Sequence, residues 1–164
     1  MNSYLTDVPA DKIVMMTKYN IDPTTYRQSS TAGTVAFSST NYWSSETTYP
    51  VDVYDERNDI IKPIVDNYES YLNGSLIEDA SGSLLIHSQA ENLGCIGDNE
   101  ACGPTNGGGN APEWVYSTNY WTGSANGTNF VWNVRSYGGF NYNNYDSVNC
   151  GVRPVITIST SEIQ

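Results

Sequence analysis

The sequence predicts an α+β fold: two helices in the middle of the chain and a mainly antiparallel sheet at its C-terminal end. Three observations carry this. Residues 60–72 place Ile60, Ile61, Ile64, Val65, Tyr68 and Leu72 on one helical face, with Asp66, Asn67, Glu69 and Ser70 opposite. Residues 129–135 alternate, and Ser136-Tyr-Gly-Gly139 follows as a turn that joins two strands. Residues 151–158, Gly-Val-Arg-Pro-Val-Ile-Thr-Ile, form the most apolar run of the chain, with the length and β-branched content of a buried strand.

The remaining elements follow in order. Residues 12–17 are a short apolar run with the length of a buried strand, and residues 34–37 read as a second, brief one. Residues 20–34 between them are rich in Thr and Ser, with Pro23 and Gly33, and read as loop. In the first helix Pro63 belongs in the first turn, and Gly74 after Asn73 is a stop signal. Residues 83–86 read as a strand. Ser88-Gln-Ala-Glu91 fits a capping box that starts the second helix, which Gly94 ends. Residues 103–112 form a loop. The pentapeptide Ser39-Thr-Asn-Tyr-Trp43 recurs as Ser117-Thr-Asn-Tyr-Trp121; too short for a solenoid repeat, it marks two similar strand or corner segments.

The chain has 164 residues, the size of one domain and enough to bury a core. Its formal net charge is −11, with seven basic residues against eighteen acidic, which disfavours nucleic acid and anionic membrane surfaces as partners. No apolar run approaches the roughly 20 residues that span a bilayer. Charged residues make up only 15%, and Ser, Thr, Asn and Gly fill the gap, together with 13 Tyr and four Trp. Tyr supplies a large rigid surface with a polar tip, and Asn and Ser supply adaptable hydrogen bonds, the mixture found in antibody binding loops.

Few residues suggest catalysis. No nucleophile elbow, phosphate-binding loop or metalloprotease motif is present. The single histidine, His87, has no acid or nucleophile tied to it by a motif and reads as structural. There is no metal set of His and Cys. Asp52, Asp55, Glu56 and Asp59 cluster before the first helix, as a calcium site or as a solvated turn. Cys95 and Cys102 are candidates for a disulfide closing a short loop, worth ~2 kcal/mol on the loop-entropy argument. Cys150 is left over. Asn73 and Asn126 match the glycosylation sequon.

The C-terminal half carries a resemblance. Trp114-Val-Tyr-Ser-Thr-Asn-Tyr-Trp-Thr-Gly-Ser, Val131-Trp-Asn-Val, Ser136-Tyr-Gly, the Asn/Tyr-rich residues 140–149 and Gly151-Val-Arg-Pro-Val-Ile resemble the ends of bacterial and phage variable proteins with a C-type lectin-like fold, diversified by retroelements. Residues 35–45, residues 81–86 and Leu93-Gly-Cys95 also look like members of that group, so the similarity runs from about residue 12 onward. It implies one C-type lectin-like ligand-binding domain over residues 1–164. An N-terminal anchor, such as the hydrophobic helix of pilin-like relatives, would lie outside this chain.

The resemblance also implies a reason for the Asn/Tyr run. Reverse transcription that misreads template adenines scatters Asn codons to Tyr, Asp, Ser, Gly, His, Cys or Arg. Arg135, Tyr137, Asn141, Asn143, Asn144, Tyr145, Asp146, Ser147, Asn149 and Cys150 would then be variable, ligand-binding positions. Trp121, Trp132, Gly151, Arg153 and Pro154 would be the scaffold. The implied function is a display domain of adhesin or receptor-binding type, outside the cell, at its surface or on a phage particle, with a protein or glycan ligand, no cofactor and no enzymatic activity. The Glu-Pro-Asn and Trp-Asn-Asp motifs of calcium-dependent lectins are absent. Two alternatives stand beside this reading: a structural domain of a surface fibre, and an enzyme of the formylglycine-generating type, which would need a second cysteine near Cys150.

Overall fold

In the computed structural model, which describes residues 1–5, 7–75, 77–104 and 108–162, two helices accompany two antiparallel sheets. The strands are β1 (Lys12–Met16), β2 (Val51–Asp52), β3 (Ser81–Ser83), β4 (Tyr120–Ala125), β5 (Phe130–Val134), β6 (Phe140–Asn144) and β7 (Val155–Ser159). The helices are α1 (Ile61–Ser75) and α2 (His87–Leu93). One sheet has the order β1-β7-β3 and the other β2-β4-β5-β6. Lys12 pairs with Ser159, so the first and last strands close the fold.

Helix α1 forms where its periodicity predicts. Ile61, Ile64, Val65, Tyr68 and Leu72 are buried, and Asn58 Oδ1 accepts from the amides of Ile60, Ile61 and Lys62 at its start. Helix α2 starts one residue before the predicted box. Ile86 is its N-cap, and Gln89 Oε1 accepts from the Ile86 amide at 3.1 Å. Ser88 therefore lies inside the helix, and Glu91 turns to His87 instead of the cap. Gly94 closes the helix at φ 112°, a left-handed conformation that suits glycine.

Three strand predictions shift. Residues 34–37 make no strand: Val35 forms a single bridge to Cys150, and the Phe37 amide donates to Tyr145 C=O. The strand predicted at 83–86 lies at 81–83, because Leu84 and Leu85 leave the ladder to enter two different core clusters. The run 151–158 is not one strand. Pro154 has no amide to give a ladder, and β7 begins only at Val155, with Gly151 and Val152 held by isolated bridges. In β5 the alternation is masked, since Val131, Trp132, Asn133 and Val134 are all buried.

The repeated pentapeptide meets itself in the core. Trp43 and Trp121 both pack edge-on against Phe37, at 5.7 and 6.0 Å between ring centroids. Each indole donates to a backbone carbonyl, Trp43 to Gly127 and Trp121 to Val35, both at 2.9 Å. The first copy is turn; the second opens β4. A second cluster holds Leu85, Leu93, Tyr120, Trp132 and Phe140 around the Cys95–Cys102 disulfide. Within the loop predicted at 103–112, residues 105–107 lie outside the described residues.

Candidate binding surface on the β5–β6 hairpin

Strands β5 and β6 pair in register, Trp132 with Tyr142 and Asn133 with Asn141. Side chains alternate across a strand, so Asn141 and Asn143 share one face of β6, and Tyr142 and Asn144 share the other. The turn between the strands returns Arg135 and Tyr137 beside Asn141 and Asn143. These four line one open cavity of about 460 Å³ with Glu100, Asn119, Ser136 and Tyr142. Four of the predicted variable residues are thus brought together.

Their side chains bond to one another and to Asn133 and Asn149 beside them. Arg135 Nη2 donates to Asn143 Oδ1 at 2.6 Å, and Arg135 Nη1 donates to Asn149 C=O at 3.3 Å. The buried Asn133 Nδ2 donates to the same Asn143 oxygen at 2.9 Å, fixing it from below. Asn141 Nδ2 donates to Tyr137 Oη. Asn119 Oδ1 accepts from the Ser136 amide at 2.7 Å and shapes the turn.

The other predicted variable residues fall elsewhere. Asn144, Asp146 and Ser147 lie at the far end of β6 and in the turn after it, with the Ser147 amide donating to Asn144 C=O. Tyr145 is half-buried and packs edge-on against Trp43 at 5.9 Å, while its carbonyl accepts the Phe37 amide. Cys150 is not on the surface at all. It is fully buried in the first core cluster, and burial pushes its thiol up to about 11. Tyr145 and Cys150 therefore act as frame in this structure.

The predicted scaffold residues form the floor. Trp121 and Arg153 are buried, as is Pro154. Arg153 Nε donates to Thr17 C=O at 2.7 Å, Nη1 to Val115 C=O at 3.3 Å, and its guanidinium lies 5.3 Å from the Tyr120 ring centre. A side chain at Gly151 would collide with the Asn20 carboxamide. Trp132 packs against His87 and Phe140 at 4.8 and 4.7 Å between ring centroids. His87 is 7% exposed, and burial holds its imidazole below the usual histidine value despite the Glu91 carboxylate at 2.7 Å.

The acidic cluster before α1 disperses. Asp52 accepts from Ser124 Oγ, Asp55 pairs with Arg57, Glu56 with Lys62, and Asp59 accepts from Ser38 and Ser39. Among the described residues no group of three His, Cys, Asp or Glu is placed to hold a metal ion. Asn73 of the first sequon exchanges two hydrogen bonds with the Ala80 backbone. Sequence reasoning missed Glu100 and Asn119 as neighbours of the surface. Asn119 carried a signal, since it stands in the repeated pentapeptide. Glu100 carried none; its place depends on the disulfide loop. Comparisons with family models, with curated protein sequences and with solved structures find no match.

Proposed function

We propose that the chain is a ligand-binding display domain of the C-type lectin-like, retroelement-diversified class, and that the β5–β6 hairpin is its binding surface. One observation carries the reading: Arg135, Tyr137, Asn141 and Asn143 converge on one exposed cavity, above a frame whose own side chains are buried. A surface that must tolerate exchange needs that arrangement, with rigidity supplied by other residues. Tyr137 is 58% exposed and pays little ordering entropy on binding. The Cys95–Cys102 disulfide supports a place outside the cytosol, at a cell surface or on a particle. Burial of Cys150, with the other two cysteines joined, supports binding over thiol catalysis.

Sequencing this locus across a population of source cells or phage tests the reading. Variation at Arg135, Tyr137, Asn141 and Asn143, with Gly151, Arg153 and Pro154 fixed, is the expected result. A uniform locus would overturn diversification.

A further inference from the structure

β6 is the outermost strand of its sheet, so one side of its backbone faces away from β5. Hydrogen bonds at both ends fix which groups those are. The Arg135 amide donates to Gly139 C=O and the Tyr145 amide to Asn129 C=O, so the odd positions face inward. The Phe140 amide donates instead to Glu100 C=O on the outer side. Antiparallel alternation then turns Tyr142 and Asn144 outward. The start of this edge is already covered: Ala101 bridges Gly139, and the amides of Cys102 and Gly103 donate to Gly138 C=O. Beyond that cover, the Tyr142 amide and carbonyl and the Asn144 amide have no backbone partner among the described residues.

This open edge runs between two cavities. On the Asn141 and Asn143 face lies the 460 Å³ cavity described above. On the Tyr142 face, with Trp132 beside it, lies a second, of about 660 Å³. Tyr142 and Glu100 border both. Glu100 stands there at φ 52°, a conformation unusual for any residue but glycine. The second cavity has aromatic walls in Tyr49, Trp132 and Tyr142, carboxylates in Glu91, Asp98 and Glu100, and, among the described residues, no Lys or Arg. Aromatic faces and carboxylates together suit a cation.

We propose that the edge of β6 takes up an extended polypeptide segment of a partner as a fifth, antiparallel strand, with a Lys or Arg side chain entering the acidic, aromatic cavity. The proposal rests on the hairpin being the binding surface and names what it binds. The register makes it specific. In the antiparallel orientation proposed, residues hydrogen-bonded to Tyr142 and Asn144 carry their side chains on the face of those residues, toward the acidic cavity. The residues between them face Arg135, Asn141 and Asn143. Backbone pairing does not depend on side-chain identity, so exchange at Asn141 or Asn143 retunes one cavity and leaves the strand addition intact.

The test is an NMR titration of the ¹⁵N-labelled chain with a blocked peptide of alternating Thr and Lys, its Thr/Glu counterpart, and two N-methylated forms of the Lys peptide. The expected result is perturbation of the Tyr142 and Asn144 amides and the Trp132 indole, with the Lys peptide roughly tenfold tighter than the Glu peptide. Methylating the Lys amides should abolish binding, and methylating the Thr amides should spare it. The D98N/E100Q variant should bring the Lys and Glu peptides together. Unmoved Tyr142 and Asn144 amides, equal binding of both charge types to the unaltered chain, or indifference to Lys-amide methylation would each overturn the proposal. A peptide that fails beside a diversified locus sinks the strand addition alone. A uniform locus beside a peptide that binds sinks diversification alone.

Discussion

Residues 140–149 and residues 150–158 follow one another in the chain, and both begin with a buried residue, Phe140 and Cys150. After that they part. In the first stretch burial alternates or falls away, and Asn141 and Asn143 bond to neighbours in the same hairpin. In the second, residues 150–156 are buried without a break, and Arg153 reaches across the fold to Thr17 and Val115. The difference teaches where a substitution is felt. A side chain whose partners are local takes its interactions with it when it changes. A side chain that ties distant segments cannot be replaced without loosening them.

Substitutions in the two regions should therefore differ widely in cost. The largest effect is expected where the repeated tryptophans meet: Phe37→Ala opens a void between Trp43 and Trp121 and should cost about 3–5 kcal/mol in denaturant unfolding. A cost below about 1 kcal/mol would mean that the two indoles collapse onto each other. Arg153→Ala should follow, at roughly 3 kcal/mol, because it strands the Thr17 carbonyl, leaves Val115 C=O to Tyr120 Oη alone and removes packing over Tyr120.

The pH dependence should come next. Burial lowers the His87 pKa from 6.5, so its contribution is complete above the unfolded-state value and is lost as pH falls below it. Stability should decline on acidification through that window, and His87→Gln should flatten this part of the profile. An unchanged slope would place the titration elsewhere. In the hairpin itself, Tyr137→Ala and Asn141→Ser should move stability by no more than about 0.5 kcal/mol. A loss of several times that would make the surface part of the frame. Cys150 sharpens the border: its buried thiol should resist alkylation in the folded protein and react on unfolding.

Much of the frame was legible because its signals are local. The α1 stripe, the turn at 136–139 and the closeness of Cys95 and Cys102 are read within a few residues of sequence. The Asn/Tyr run likewise marked the hairpin. Position within the run was not legible. Asn143 and Tyr145 are two residues apart and look alike in composition, but Asn143 sits over Asn133 and Tyr145 sits on Trp43. Cys150 read as a surface draw because nothing near it shows Val35 arriving from 115 residues away to bridge it. The acidic cavity was beyond reach for the same reason, since Tyr49, Glu91, Glu100 and Trp132 come from four separate segments.

The pairing of Lys12 with Ser159 sets an order for biosynthesis. Strands β4, β5 and β6 are joined by turns of a few residues and can zip together as soon as they leave the ribosome. β1 is made before the hairpin and waits for its partner β7, which is made after the hairpin. Until then Val14 has no ladder to bury it, and the hairpin can form before the sheet that completes its frame. The β1–β7 pairing joins residues far apart in sequence, the kind of non-local contact that slows folding, and none of its registered pairs lies in the hairpin.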